Sequence, residues 1–324
     1  MALLYYPDTR PGISRQRRGR GFTYTAPDGT RIDCSEERAR IKALAVPPAY
    51  ERVWICPLHD GHLQATGRDA RARKQYRYHP DWTQQRALTK YEGLAEFGST
   101  LPRLRRWIAS RLKGDAGDPD TAVAAALALI DRASLRVGHP DYTAENGSYA
   151  ATTLRNRHVA FDGTKVLLNY TAKGGKKVRK TIQSRQLQRV LQQSADLPGH
   201  ELISWQDDRG DAHAVRSEQI QKVLADLCGD DVSAKTLRTW NGSHAAFVVA
   251  LNEEKLTINA MARAAADRLH NTPTIARSSY IHPKVIDLAE MDDGERLARL
   301  GALKPAINRE QYLMGEVELL DYLR

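Results

Sequence analysis

The chain has few cysteines and no long apolar run. Its 324 residues include only Cys34, Cys56 and Cys228, too few and too scattered for a disulfide framework, so we expect a reducing compartment. Residues 1–14 lack the apolar core of a secretory signal. The longest apolar stretch, residues 122–130, is far shorter than the about 20 residues that a membrane span needs. These absences predict a cytoplasmic protein with no membrane partner.

Signatures of cofactor binding are also missing. The chain contains no G-x-x-x-x-G-K-[ST] loop, so no nucleotide cofactor is expected. Cys56, His59 and His62 form the one ligand-like cluster, but they lack an evident fourth ligand and a standard zinc spacing. We interpret them as loop residues and expect neither a metal nor any other cofactor.

Positive charge, in contrast, is abundant. The 49 Lys and Arg outnumber the 39 Asp and Glu, which gives a formal charge of +10 and favours a polyanionic partner such as nucleic acid. Four basic clusters lie at residues 15–20, 68–77, 103–113 and 173–189. In the second, Arg73 precedes Tyr76 and Tyr78, which are two residues apart on a predicted strand and therefore project from one face. This pattern suits contacts to duplex DNA, although an ordinary solvated strand has the same composition.

The spacing of apolar residues and turns predicts an α+β protein of two domains. Residues 1–85 carry strand-like runs at 52–56 and 74–78 and one helix that begins near Ser35 and stops before Pro47, which indicates a small β-rich domain. Residues 86–324 form a larger, mainly α domain. Its predicted helices cover residues 84–97, 101–112, a segment opened by Asp118 and Pro119, 184–193, 217–228, 233–253 and 256–270, where Pro273 is expected to interrupt. Between them, residues 159–182 predict a three-stranded antiparallel meander with a Gly174-Gly175 turn.

Several polar segments of the larger domain are candidates for chemistry. Arg136 leaves an apolar helix, where its guanidinium can bind two phosphate oxygens or form a buried salt bridge. Lys173 lies beside the hairpin turn, from which an ammonium can reach a leaving oxygen, although most such lysines are solvated. Ser233 is expected to begin a helix with Lys235 and Arg238 on one face near its positive end. Tyr280 becomes a useful nucleophile only where cations stabilise the developing charge.

Taken in order, these segments resemble the poxvirus-like bacterial branch of the type IB DNA topoisomerases over nearly the whole chain. The segments that carry the resemblance are residues 135–158, the pair Lys235 and Arg238, and Tyr280 placed nine residues after Asn271. The resemblance implies an enzyme that relaxes supercoiled duplex DNA by transient single-strand cleavage and religation without ATP or metal. It also implies a monomeric, C-shaped clamp around DNA at the nucleoid, with residues 1–85 on one side of the duplex and the catalytic domain on the other.

The resemblance also assigns roles to residues. Tyr280 attacks the scissile phosphate to give a 3′-phosphotyrosyl link and a free 5′-hydroxyl. Arg136, Arg238 and Asn271 bind the nonbridging oxygens, and Lys173 protonates the leaving 5′-oxygen. The residues implied to contact DNA are Arg73, Tyr76, Tyr78, Tyr142 and Lys235.

One position departs from the pattern of the family. Many members have His where this chain has Asn271, and an amide can donate a hydrogen bond to a phosphate oxygen but cannot be cationic. We expect the role to persist.

Two other interpretations remain open at this point. A site-specific tyrosine recombinase shares the chemistry, but recombinases resemble H-x-x-R at the second arginine, where this chain has Lys235-x-x-Arg238. A non-enzymatic architectural DNA-binding protein would also explain the charge and the tyrosines.

Overall fold

The computed structural model describes residues 3–303 and 309–324. The chain divides into two compact units, Met1–Lys90 and Tyr91–Arg324. Within the described ranges no helix is both long enough and apolar enough to cross a membrane. The functions expected for residues 1–85 and 86–324 stay predictions.

The first unit is built on a five-stranded antiparallel sheet in the order β2-β1-β3-β4-β5. Its elements are β1 Ile13–Arg18, β2 Gly21–Thr25, α1 Ser35–Ala43, β3 Glu51–Ile55, β4 Leu63–Arg68 and β5 Lys74–Tyr78. Helix α2, Pro80–Glu92, follows and runs past the division between the units. The two strands and the helix predicted for this region are confirmed. A small core of Ile13, Ile41, Val53, Ile55 and Ala65 lies between sheet and helix α1.

The second unit is mainly helical. Its helices are α3 Leu94–Arg111, α4 Pro119–Ala133, α5 Pro140–Asn146, α6 Arg185–Ser194, α7 Ser217–Cys228, α8 Ala234–Asn252, α9 Ile258–Leu269, α10 Pro273–Tyr280, α11 Pro283–Asp287, α12 Asp293–Gly301 and α13 Glu316–Leu323. Strands β6 Val159–Asp162, β7 Lys165–Ala172 and β8 Lys176–Gln183 form the predicted antiparallel meander, and β9 Ser204–Gln206 pairs with β10 Ala212–Ala214. The predicted α+β class is therefore confirmed.

Helix α4 explains the apolar run at residues 122–130. Asp118 caps the helix by accepting from the Thr121 N–H at 2.9 Å, and Pro119 occupies the first turn, where its missing N–H costs nothing. Every residue from Ala122 to Ile130 is buried, because α4 is surrounded by other elements of the unit. The helix ends at Ser134, which adopts a left-handed conformation with φ 54°. Arg136 follows directly, so the chain leaves the core at the first candidate arginine.

Helix α3 differs from the prediction of two helices at 84–97 and 101–112. The break lies at Gly93, and α3 continues through Pro102. Proline leaves the carbonyl four residues earlier without its helical donor, and the Tyr312 hydroxyl donates to this Gly98 carbonyl at 3.2 Å instead. A Cβ at Gly98 would lie 2.4 Å from the Trp240 ring. Helix α3, which packs closely against α8, is therefore continuous where the local sequence predicts an end.

A buried ionic network joins the last helix to the centre of the unit. Arg105 of α3 donates to Asp131 at 2.9 Å and to Glu316 at 2.6 Å, and the Trp240 indole donates to Glu316 at 2.9 Å. Burial opposes ionisation of Glu316, but the contacts with Arg105 outweigh it and hold the pKa of Glu316 below its ordinary value. Helix α13 is thereby fastened to α3, α4 and α8.

Removing this carboxylate should destabilise the protein strongly. Glu316→Ala leaves Arg105 and Trp240 with buried donors, so we expect the free energy of unfolding in urea to fall by about 3–5 kcal/mol. The control Glu290→Ala alters an exposed carboxylate and should change it by less than about 0.5 kcal/mol. Because the folded pKa is lowered, the contribution of Glu316 should be present at neutral pH and be lost as pH falls through that pKa. Equal stability of the two variants would contradict the network.

Candidate active site

Arg238 lies inside the second unit, on the first turns of α8. Ser233 is the N-cap residue of α8, as predicted. The Arg238 side chain is buried, with 3% of its surface exposed, and it donates to the carbonyl oxygens of Ser134 and, at 3.0 Å, of Leu269. Its Nε has no partner among the described residues. Burial lowers the pKa of Arg238 to about 10, with repulsion from Arg136 adding to the effect, so the group stays cationic at neutral pH.

Asn271 is held in one orientation by Arg136. The Arg136 Nη2 donates to the Asn271 Oδ1 at 2.6 Å. Because a guanidinium can only donate, the amide oxygen must face it, and the amide nitrogen must face the other way. The Asn271 Nδ2 is buried and has no partner within the described ranges. Two buried donors, this Nδ2 and the Nε of Arg238, are thus left for an acceptor that the protein itself does not supply.

His270 fixes the backbone just before Asn271. It ends α9 in a left-handed conformation, with φ 55°, and its Nε2 lies 3.1 Å from the carbonyl oxygen of Ala133. Burial lowers the pKa of His270 to about 4, so the ring is neutral at physiological pH and donates through Nε2. The ends of α4 and α9 are therefore joined beside Arg238.

Tyr280 is the last residue of α10. The prediction that the preceding helix ends before Pro273 is confirmed, because α9 stops at Leu269. Pro273 also begins a helix that was not predicted: Thr272 caps α10 by accepting from the Ile275 N–H, and Pro273 is the first helical residue. The guanidinium carbon of Arg238 lies 5.3 Å from the centre of the Tyr280 ring, a cation–π contact. The structure thus brings Tyr280, Arg238, Arg136 and Asn271 together, as the resemblance implies.

Gly242 and Ser243 of α8 hold the backbone of Tyr280. A Cβ at Gly242 would lie 2.6 Å from the Tyr280 carbonyl oxygen and 3.0 Å from its Cβ, so only glycine allows this approach without a shift. The Ser243 hydroxyl donates to the same carbonyl at 3.3 Å and accepts from the His282 N–H at 2.9 Å. It therefore satisfies a carbonyl that the end of α10 leaves without a helical partner. One helix sets the positions of both Arg238 and the tyrosine backbone.

Lys173 lies at the tip of the β7–β8 hairpin. It is exposed, and its ammonium is 5.1 Å from the centre of the Tyr142 ring of α5, a cation–π contact. Lys173, Tyr142 and Arg136 line one pocket of about 220 Å³. The lysine therefore shares a pocket with Arg136, in a conformation in which its ammonium rests on Tyr142.

The remaining predicted DNA contacts are Lys235 in the second unit and Arg73, Tyr76 and Tyr78 in the first. Lys235 is exposed and lines a separate groove with residues of α7, so it does not share the environment of Arg238. In the first unit, Tyr76 and Tyr78 expose 48% and 46% of their surfaces, and their rings are nearly parallel at 6.0 Å. Arg73 forms an ion pair with Asp69 at 2.7 Å.

Sequence reasoning missed Ser134, Gly242, Ser243 and His270. Gly242 carried a signal, because a glycine inside a helix is destabilising by about 1 kcal/mol and usually marks close packing. The others act through backbone atoms and through contacts that no local pattern announces. Over the described residues, no group of three or more His, Cys, Asp or Glu side chains could hold a metal ion.

Comparison with known proteins gives two family matches and one relative. The eukaryotic DNA topoisomerase I catalytic core matches residues 79–290, and the bacterial DNA topoisomerase IB N-terminal domain matches residues 21–69. The DNA topoisomerase 1B of Acanthamoeba polyphaga mimivirus is 25% identical over 293 residues, which cover 86% of this chain and 87% of that protein. The core match includes all five predicted catalytic positions, whereas Arg73, Tyr76 and Tyr78 lie between the two matched ranges.

Loss of the Ser243 hydroxyl should loosen the tyrosine. Because a displacement of about 1 Å can cost a factor of about 100, we expect Ser243→Ala to slow covalent attachment of Tyr280 to DNA by about 10- to 100-fold, with noncovalent affinity unchanged. Single-turnover assays with saturating DNA measure the rate. Ser278→Ala is the control, because it alters an exposed hydroxyl of α10, the helix that contains Tyr280. Identical rates for the two variants would show that the contact does not position Tyr280.

Proposed function

The chain belongs to the type IB DNA topoisomerases, which relax supercoiled duplex DNA by cutting and rejoining one strand, and we propose that Tyr280 is its nucleophile. The observation that carries this proposal is the pair of buried donors beside Tyr280, the Arg238 Nε and the Asn271 Nδ2, which have no acceptor among the described residues. A phosphodiester has two nonbridging oxygens that can accept from them. Arg136 orients the amide and adds positive charge.

In the cleavage step, the Tyr280 hydroxyl gives up its proton to water, its oxygen forms a bond to the scissile phosphorus, and the bond from phosphorus to the 5′-oxygen breaks. The products are a 3′-phosphotyrosyl link and a 5′-hydroxyl. Charge that develops on the nonbridging oxygens is stabilised by Arg136, Arg238 and the Asn271 amide, donors that are already fixed before DNA binds. Religation is the reverse attack by the 5′-hydroxyl. One phosphodiester replaces another, so the reaction needs neither ATP nor a metal ion.

Lys173 supplies the proton that the leaving 5′-oxygen takes up. Its position at a hairpin tip supports this role, because Gly174 and Gly175 both have positive φ, 77° and 74°, and a turn of two glycines reorients at low cost. The ammonium leaves the Tyr142 ring and turns toward the scissile phosphate when DNA fills the pocket that they share with Arg136.

The DNA-binding contacts extend beyond this centre. Exposed Tyr76 and Tyr78, with Arg73 near them, belong to residues 1–85, while Tyr142 and Lys235 belong to residues 86–324. On this basis the two domains bind opposite sides of the duplex as a C-shaped clamp. The protein acts as a monomer, since the residues proposed for catalysis all come from one chain, and its site of action is the nucleoid.

The nucleophile is tested with supercoiled plasmid. The unaltered chain should relax a plasmid that carries no paired recognition sites, and denaturation during the reaction should leave protein covalently attached to 3′ ends. Tyr280→Phe should abolish both activities and retain DNA binding, because only the attacking oxygen is lost. Dependence on paired sites would instead indicate a recombinase. Topology changes that survive in Tyr280→Phe without covalent attachment would indicate an architectural protein.

The role of Lys173 is tested by changing the leaving group. Lys173→Ala should slow cleavage by about 10²–10⁴-fold, the range for loss of a general acid. A substrate with sulfur in place of the bridging 5′-oxygen should restore the rate to within about 10-fold, because a thiolate leaves without a proton. Lys176→Ala, an exposed lysine at the start of β8, is the control and should cleave both substrates normally. An equal defect of Lys173→Ala on both substrates would contradict proton donation.

A further inference from the structure

Two arginines outside the proposed catalytic group stack on one tyrosine. The guanidinium carbons of Arg155 and Arg157 lie 5.7 Å and 5.5 Å from the centre of the Tyr149 ring. Arg157 also donates to the Tyr149 hydroxyl at 2.7 Å. The ring therefore supports both guanidinium groups and limits their freedom, so less entropy is lost when they bind a ligand.

Neighbouring residues hold the backbone and the ring of Tyr149 in place. The Tyr149 N–H donates to the Thr171 carbonyl at 2.8 Å, which attaches the residue to β7 two residues before Lys173. The His158 ring also packs against Tyr149, with ring centres 4.2 Å apart, and accepts from the Arg155 N–H at 3.0 Å. Burial, then Arg157 and Arg155, lower the pKa of His158 to about 4, so this ring adds no charge of its own.

The arginines carry charge that nothing in the described residues offsets. Neither Arg155 nor Arg157 forms an ion pair with a carboxylate there. Arg157 is exposed and Arg155 is half-buried. Two like charges held near one ring repel each other, and a bound anion would remove that repulsion. The arrangement is thus typical of an anion-binding site.

Tyr149 links the two arginines to the candidate active site. Tyr149 is one wall of the pocket of about 220 Å³ that Arg136 and Lys173 also line. Tyr149 thus contacts the two arginines and also borders the pocket that Arg136 and Lys173 line.

We propose that Arg155 and Arg157, supported by Tyr149, form a second phosphate subsite that binds one backbone phosphate of duplex DNA adjacent to the scissile phosphate. The two guanidinium groups donate to the nonbridging oxygens of this phosphate, and no bond is made or broken there. The inference rests on the proposed function of the neighbouring pocket. Its contribution is to affinity and register on the strand, not to the chemical step.

The salt dependence of DNA binding tests the subsite. For a duplex, the slope of log affinity against log salt concentration changes by about 0.9 for each phosphate contact. In a Tyr280→Phe background, the double variant Arg155→Gln/Arg157→Gln should therefore have a slope shallower by about 0.9. Arg155→Gln/Arg157→Lys, which keeps one cation over the ring, should retain most of the parent slope, and thermal unfolding should show that both variants fold.

A matched pair of arginines provides the control. Arg299 also stacks on a tyrosine, Tyr322, at 5.4 Å, and Arg309 is paired with Glu318 at 2.6 Å. Arg299→Gln/Arg309→Gln also removes two positive charges from exposed side chains. It should leave the slope of log affinity against log salt concentration unchanged. A slope equal to the parent's in the Arg155/Arg157 double variant would overturn the subsite. A slope shallower by about 1.8 would contradict the binding of one phosphate by both arginines, because such a change requires two separate phosphate contacts.

Cleavage kinetics distinguish this inference from the proposed function. With Tyr280 present, the double variant should need about 10-fold more DNA for half-maximal cleavage and should cleave at the parent rate, within about 3-fold, when saturated. A lower saturated rate at normal affinity would place the arginines in the chemical step and contradict the subsite. Absence of cleavage in the unaltered chain would refute the proposed function, whereas the salt slopes would still test the subsite.

Discussion

The buried guanidinium of Arg238 is the constraint on which the rest of the second unit depends. A cation removed from water requires hydrogen-bond acceptors, and here the carbonyl oxygens of Ser134 and Leu269 supply them. Those carbonyls become available because α4 ends at Ser134 and α9 ends just before His270, each in a left-handed turn. The ends of two helices thus converge on one side chain. Among the described residues no carboxylate forms an ion pair with Arg238, so its positive charge is free to bind the phosphate that we propose.

Helix α8 transmits this constraint to the other parts of the site. The Asn241 amide donates to the Asp131 carbonyl and the Ser134 hydroxyl, both at 3.0 Å, so α8 is fixed to the end of α4. Trp240 binds Glu316, and Gly242 and Ser243 contact the backbone of Tyr280. Arg238 and the four successive residues Trp240 to Ser243 of one helix therefore connect the buried guanidinium, the tyrosine and α13. Rigidity of this kind suits a site whose donors must be in place before charge develops.

The helices and strands could be predicted from the sequence better than the contacts between them. The strands at 52–56, 74–78 and 159–182, and the helices that begin at Asp118 and Ser233, follow from alternation, periodicity and capping residues. Helix α9 ends before Pro273 as predicted, but the short helix α10 that begins at Pro273 was not predicted, although proline is common at the first position of a helix. Helix α3 crosses Pro102 because Tyr312, 214 residues from the carbonyl that it satisfies, supplies the missing donor. The Arg136–Asn271 bond joins residues 135 positions apart, so only the resemblance, and no local pattern, could suggest it.

We propose that the Arg238 Nε and the Asn271 Nδ2 form a preformed binding site for one phosphate. A crystal structure of the Tyr280→Phe variant with an uncleaved duplex would measure this directly. Both nitrogens should lie within about 2.7–3.2 Å of nonbridging oxygens of the same phosphate, with the Asn271 Oδ1 still accepting from Arg136. An amide turned so that its oxygen faces the phosphate side, or two nitrogens bound to different phosphates, would contradict it.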